Sequence, residues 1–174
     1  MDFFVPNRYN NKNTKEAAMD CICRYDSPIG PLYLRSDGAA LTGLSPARFD
    51  GIEADLPVFR NTREWLDAYF RGDAPDPHVL PLSPMGTAFQ QAVWAELLAV
   101  PYGQSLTYGE IAKAIGKPRA CQAVGQAVGR NPIGIIIPCH RILGAGGQLT
   151  GFAWGIEKKK WLLRHEGVDY IDHP

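Results

Sequence analysis

Between residues 75 and 84 the chain reads PDPHVLPLSP, with four prolines in that stretch. Proline fixes φ and has no backbone N–H, so neither a helix nor a central strand can run through it. No single element joins the two sides, and the stretch reads as a stiff linker. The expectation is two units in 174 residues: an N-terminal domain over 21–84, linker included, and a C-terminal domain over 85–174. Residues 1–20, rich in Asn and Lys and without hydrophobic period, read as a flexible tail. Charge divides at the same boundary. Residues 1–84 carry 9 basic and 12 acidic side chains, and residues 85–174 carry 9 and 6. A basic C-terminal half suits a phosphate-rich partner, whereas the zero overall charge excludes a polybasic coat.

In the N-terminal unit, short apolar runs (Leu32–Leu34, Leu41–Leu44) alternate with turn signals (Ser27-Pro28, Gly30-Pro31, Asp37-Gly38). That is the pattern of a strand meander. A helix is expected over residues 62–71, with Thr62 as N-cap, Trp65, Leu66, Tyr69 and Phe70 on one face, and Gly72 past its end. In the C-terminal unit, Thr87 caps a helix bearing Phe89, Val93, Trp94, Leu97 and Leu98. Thr107 opens a short helix that Gly116 ends, and Pro118 opens another. Two short helices around a Gly-Lys-Pro turn read as a helix-turn-helix. Ile133–Ile137 reads as a short buried strand or extended segment, and a last helix is expected from Gly155 to His165.

Four cysteines occupy positions 21, 23, 121 and 139. The N-terminus has no secretory pattern, and no run approaches the roughly 20 apolar residues of a membrane helix. The expectation is a cytoplasmic protein with reduced thiols. Cys139 is the cysteine whose setting suggests chemistry. An apolar run delivers it, Pro138 breaks that run, and His140 and Arg141 follow. Nearby cations favour the thiolate. Neighbouring side chains in an extended chain point apart, so a water is the natural relay from Cys139 to His140. Glu166, at the end of the last helix, is the carboxylate that would orient and stabilise that imidazole. On its own, Cys139 reads equally as a small buried apolar residue. The helix-turn-helix reads equally as plain core. The polar groups of its second helix (Arg119, Gln122, Gln126, Arg130) suit phosphate and shape contacts better than a base code.

Taken together, five motifs carry a resemblance: Tyr108-Gly109-Glu110-Ile111-Ala112, Ala123-Val124-Gly125, Gly129-Arg130-Asn131-Pro132, Ile137-Pro138-Cys139-His140-Arg141 and Leu162-Leu163-Arg164-His165-Glu166-Gly167. In order and spacing the chain resembles the O6-alkylguanine-DNA alkyltransferases, also called methylated-DNA–protein-cysteine methyltransferases. Asp26-Ser27-Pro28-Ile29-Gly30-Pro31-Leu32 fits as well, and the likeness covers nearly everything after residue 20. It implies an α+β fold: a small ribonuclease-H-like N-terminal domain on a helical, winged-helix-like DNA-binding domain. It implies a monomer that needs no cofactor and acts on double-stranded DNA containing O6-alkylguanine, with O4-alkylthymine left open as a second substrate.

The resemblance also implies roles. Cys139 matches the acceptor, consumed once as a thioether. His140 matches the water-mediated base, Glu166 the carboxylate behind it, and Asn131 the hinge residue bracing the turn. The target base would be rotated out of the stack through the minor groove. Tyr108 would crowd its phosphate and donate a proton to the departing base. Arg119, Gln122, Ala123 and Arg130 would join Tyr108 and Asn131 against DNA. Pro138, Ile142, Phe152, Ala153, Trp154 and Lys159 would form the pocket, with Lys159 at its rim; without the resemblance, Lys158–Lys160 reads as a solvated helix face.

Three positions depart from the pattern. Gln122 stands where the family usually has the arginine that fills the vacated stack. Phe152 replaces a pocket tyrosine, and Trp154 stands where many members carry glycine, although some bacterial members share the tryptophan. Cys21-x-Cys23 does not match the zinc-binding arrangement of some members, so the pair reads as strand residues and no metal is expected. Two other functions fit the same elements. Binding-only relatives lack the acceptor cysteine, and a transcription regulator would bind specific sequences with Cys139 dispensable.

Overall fold

The computed structural model describes residues 19–172. The expected flexible tail lies, up to residue 18, outside the described residues. The rest is an α+β fold. The meander forms β1 (Cys21–Ser27), β2 (Gly30–Ser36), β3 (Leu41–Ser45) and β4 (Ile52–Glu53), in the sheet order β3-β2-β1-β4. β1 and β2 pair antiparallel from Cys21–Ser36 to the turn at Ser27–Gly30. β4 was not legible in the sequence: it is two exposed residues paired parallel to β1. Cys21 and Cys23 are strand residues of β1.

The helix expected over 62–71 starts more than a turn earlier, and α1 spans Pro57–Arg71. Pro57 suits the first turn because its missing N–H would have no partner there. Thr62 is therefore not a cap. It is buried in mid-helix, and its hydroxyl donates to Val58 O at 2.7 Å. The C-terminus falls where expected, with Gly72 in the left-handed conformation (φ 88°) closing the last turn.

The proline stretch is pinned along the sheet edge. Leu41 N donates to Pro81 O and Ser83 N to Leu41 O, both at 2.8 Å. Trp65 Nε1 reaches back to Asp76 O at 3.0 Å. β3 also bonds across to the C-terminal half, where Leu44 N donates to Pro132 O (2.9 Å) and Gly134 N to Leu44 O (3.1 Å). Its edge is thus covered, as edge strands require. One buried apolar cluster includes Leu34 and Leu44 of the sheet, Phe59 and Leu66 of α1, and Trp94, Ile111 and Ile137 of the C-terminal half.

α2 (Ala88–Leu98) begins at a capping box in which Thr87 and Gln90 satisfy each other's backbone N–H. β5 (Leu106–Thr107) leads into α3 (Tyr108–Ala114), capped in the same way by Thr107 and Glu110. α4 (Cys121–Gly129) packs on α2 and α3, and Trp94 Nε1 donates to Ala127 O at 2.8 Å to join α2 to α4. Pro118 does not start this helix. Residues 117–120 form a turn closed by Ala120 N on Lys117 O, leaving Arg119 outside α4. β6 (Ile142–Leu143) pairs parallel with β5, and α5 (Ile156–His165) follows.

Ile133–Ile137 is buried as expected but is not a strand. It coils, with Ile136 N on Gly134 O (2.8 Å) and Ile137 N on Ile133 O (3.0 Å). Ile135 sits at φ 66°, a conformation costing an L-residue roughly 1–2 kcal/mol. Five apolar residues in a row look the same whether extended or coiled. Side-chain bonds from Asn131 decide the matter here.

Candidate active site

Two elements bring the site together. The β5–β6 pair holds Thr107 opposite Leu143, fixing the start of α3, and so Tyr108, beside the segment that follows Cys139. Asn131 braces the coil that precedes Cys139. Its Nδ2 donates to Ile137 O (2.7 Å) and Ile133 O (3.4 Å), and its Oδ1 accepts from Ile133 N (3.0 Å). The strained Ile135 lies inside this clasp, where backbone strain is characteristic of functional turns.

Cys139, His140 and Arg141 form one 3-10 turn, and all three are buried. His140 is fully buried, and its Nε2 lies 2.6 Å from Glu166 Oε1. Burial holds the imidazole below its ordinary pKa against the pull of Glu166, so it is neutral and Nε2–H donates. Its Nδ1 is then a bare acceptor, buried and without a partner. Glu166 caps α5 and also accepts from Tyr69 OH (2.6 Å), Arg141 Nε (2.7 Å) and Arg141 Nη2 (3.0 Å). Burial alone would raise this carboxyl. The hydrogen bonds from His140 and Arg141, with the Arg141 charge, outweigh it and hold Glu166 well below the usual carboxylate range. Tyr69, raised far above its ordinary value by burial and by Glu166, stays a proton donor.

The thiol itself departs from expectation. Burial pushes Cys139 above its ordinary pKa, and Asn131 and Lys159 offset this only in part. The cations near it are real, but desolvation of a thiolate wins at full burial, and a three-residue turn has little dipole to help. In the resting protein Cys139 is a thiol.

A pocket of about 40 Å³ opens onto Cys139, lined by Tyr108, Asn131, Gly151, Phe152, Ala153 and Trp154. Phe152 and Trp154 meet in a tilted pair with centroids 5.7 Å apart. The indole rests on Gly134, where an added Cβ would lie 2.1 Å from it. Pro138 and Ile142, expected in the pocket, are buried and do not line it. Lys159 corrects two expectations. It is neither at a rim nor on a solvated face: it is 1% exposed, with Nζ donating to Ile142 O (2.6 Å) and Thr150 Oγ1 (3.2 Å). Only its neighbours in the run, Lys158 and Lys160, reach solvent, Lys160 pairing with Glu157 and Asp172. Arg119, Gln122, Ala123 and Arg130 are all exposed on or beside α4, and none lines the pocket.

Sequence reasoning missed Tyr69, Arg141 and Thr150. Arg141 had a signal, standing next to His140. Tyr69 lies 97 residues from Glu166 and had no local signal.

Comparison with known proteins adds an independent line. Residues 88–168 match the family described as 6-O-methylguanine DNA methyltransferase, DNA binding domain. The chain is 46% identical over 155 residues to the methylated-DNA–protein-cysteine methyltransferase of Haemophilus influenzae, covering 85% of this chain and 87% of that one. It is 45% identical to the protein of that name from Methanosarcina acetivorans, covering 82% and 96%. The crystal structure of Mycobacterium tuberculosis OGT in complex with DNA superposes with a TM-score of 0.77 at 45% identity, covering 84% and 92%.

Proposed function

The chain belongs to the methylated-DNA–protein-cysteine methyltransferase family, and from that premise we propose that Cys139 is the residue that takes the alkyl group. The protein acts on DNA containing O6-alkylguanine and repairs it by alkyl transfer to cysteine. The observation that carries the assignment to Cys139 is the orphaned Nδ1 of His140. A fully buried imidazole whose other nitrogen donates to a carboxylate presents its remaining lone pair as a proton acceptor.

With a water between them, the Cys139 thiol gives its proton to Nδ1. The imidazolium so formed is stabilised by Glu166, which Arg141 and Tyr69 keep ionised and fixed. The thiolate then attacks the alkyl carbon, the C–O6 bond breaks, and a thioether remains. A thioether is not readily reversed, so each molecule acts once. Tyr108 donates to the ring nitrogen of the departing base, whose negative charge would otherwise oppose the step.

The pocket has room for about three waters, at roughly 10–15 Å³ each, and not for a purine. Phe152, Ala153 and Trp154 therefore swing away as the base rotates in. Ala153 N faces O6, and the carbonyls of Cys139 and Ile142 accept from the exocyclic amine. The exposed face of α4, with Gln122 and Ala123, lies in the minor groove with Gln122 plugging the gap, and Arg119 and Arg130 flank the helix at its two ends. We assign the sheet-and-α1 half a ribonuclease-H-like architecture, α3–α4 with the β5–β6 pair a winged-helix-like one, and the protein to the cytoplasm as a monomer. Among the described residues no helix is long and apolar enough to cross a membrane.

The test is intact-mass and peptide mass spectrometry after mixing with duplex DNA bearing O6-methylguanine. One methyl per protein, on the peptide containing Cys139, is expected, and Cys139→Ala should bind DNA without gaining mass. Methyl on Cys121, or many lesions repaired per molecule, refutes the assignment.

A further inference from the structure

Besides the network around Glu166, a second polar chain runs from the interior to Tyr108. Lys159 Nζ lies 3.2 Å from Thr150 Oγ1, which in turn lies 2.9 Å from the Tyr108 hydroxyl. The Thr150 methyl packs toward Gly144, which turns its hydroxyl to both partners. Lys159 is buried with no carboxylate in ion-pair distance among the described residues. The titratable groups that face it are Cys139 and His140 of the 3-10 turn and, across Thr150, Tyr108 of α3. An unpaired buried ammonium costs stability, and packing alone would be served better by an apolar side chain.

Resting on the reading of Cys139 as acceptor, we propose that Thr150 is a positioning residue that relays a proton from Lys159 to Tyr108, making the Lys159 ammonium the acid that neutralises the departing base. Each bond is accounted for. The Sγ–C bond forms and the C–O6 bond breaks, leaving the electron pair on guanine. Tyr108 O–H protonates the ring nitrogen, Thr150 O–H restores Tyr108, and Nζ–H restores Thr150. The sum is guanine anion plus ammonium giving neutral guanine plus amine; the thiol's own proton stays on His140. Burial raises the Tyr108 phenol above its ordinary value, making it a weak acid alone. Burial lowers Lys159 to about 8, making it a stronger acid than an ordinary lysine.

The experiment compares two reactions of the full protein: single-turnover transfer from duplex O6-methylguanine DNA at saturation, and alkylation of Cys139 by iodoacetamide. Iodide leaves without a proton, so the second reaction reports the thiolate alone. Thr150→Val keeps the methyl against Gly144 and removes the hydroxyl. It should slow transfer at least about tenfold while iodoacetamide reaction and DNA affinity stay within about twofold. The wild-type transfer rate should also decline above about pH 8, where Lys159 loses its proton, and Thr150→Val should lack that decline. Thr150→Ser should restore both the rate and the decline. Transfer by Thr150→Val at the wild-type rate, both reactions slowing together, or no rescue by serine would each overturn the relay. A wild-type protein that binds the DNA but leaves Cys139 unmethylated would overturn the functional reading instead.

Discussion

Glu166→Gln separates the two jobs that Glu166 holds. The carboxylate is fully buried and both oxygens are filled: Oε1 by Tyr69, His140 and Arg141 Nη2, Oε2 by Arg141 Nε and the Gly103 amide. Glutamine keeps the shape but replaces one oxygen with an NH₂. Whichever way the amide turns, a donor faces a donor, and the Arg141 guanidinium is left buried without a counter-charge. Breaking a buried pair from one side costs about 3–5 kcal/mol. For a chain of this size each kcal/mol moves Tm by roughly 2–4 °C, so Tm should fall by roughly 6–20 °C. Circular dichroism melts at pH 7 read this directly. Adding Arg141→Met removes the stranded charge, so the double variant should melt above Glu166→Gln alone. A fall of less than about 2 °C, or a double variant that simply adds two losses, would refute the reasoning that an uncompensated guanidinium sets the cost. Transfer, measured well below the melt, should be slowed near neutral pH. The deficit should narrow as pH rises and the thiolate forms without help from the imidazole. A deficit constant to strongly alkaline pH would leave Glu166 a purely structural role.

Gly134→Ala puts a Cβ into the Trp154 indole and should destabilise by about 1–3 kcal/mol, with Trp154→Gly restoring the loss in the double variant, as thermal melts will show. Trp154→Gly alone should speed inactivation of the protein by free O6-benzylguanine, and a wild-type protein already inactivated rapidly by it would mean that the indole does not narrow the site. Acid titration followed by fluorescence should show stability falling with pH in two stages. His140 and Glu166 both have folded pKa values below their unfolded ones, so the unfolded chain binds more protons. Stability supplied by the neutral imidazole is lost as pH falls below about 6.5, and that supplied by the carboxylate is lost below about 4.5. Gln122→Ala should slow transfer from duplex DNA far more than from free base, whereas Arg130→Ala should weaken binding and flatten its salt dependence by about one phosphate contact; the reverse pattern would make Arg130 the plug.

What could be read from the chain follows from the range of each interaction. Thr87 with Gln90, and Thr107 with Glu110, are contacts three residues apart, and both helix starts were legible. The Gly72 stop was legible because a left-handed residue is a local demand. Pro57, by contrast, starts α1 through a position that also fits a turn, and the buried Thr62 looks like a cap because its hydroxyl bonds the backbone either way. The coil at Ile133–Ile137 is fixed by Asn131 and by β3, neither of which an apolar run announces. Lys159 misled for the same reason: three lysines in a row look solvated until Ile142 O and Thr150 are brought to the middle one.

Resting protonation of Cys139 links these parts. A thiolate exposed to solvent reacts with any oxidant or electrophile it meets, and for a residue used once each such event ends the molecule's working life. Burial keeps Cys139 protonated and the pocket too small for a base. On the proposed mechanism, reaction then requires three coincident events: the Phe152–Trp154 wall moves, the imidazole accepts a proton, and an acid meets the leaving base. His140 and Lys159 lie on opposite routes from the sulfur, one to Glu166 and one to Tyr108. The proton leaving the thiol and the proton reaching the base therefore need not be the same one. Slowing either route should slow transfer, but only loss of the His140 route should slow iodoacetamide as well. A Glu166→Gln protein with unaltered iodoacetamide reactivity would show that the His140 route does not form the thiolate.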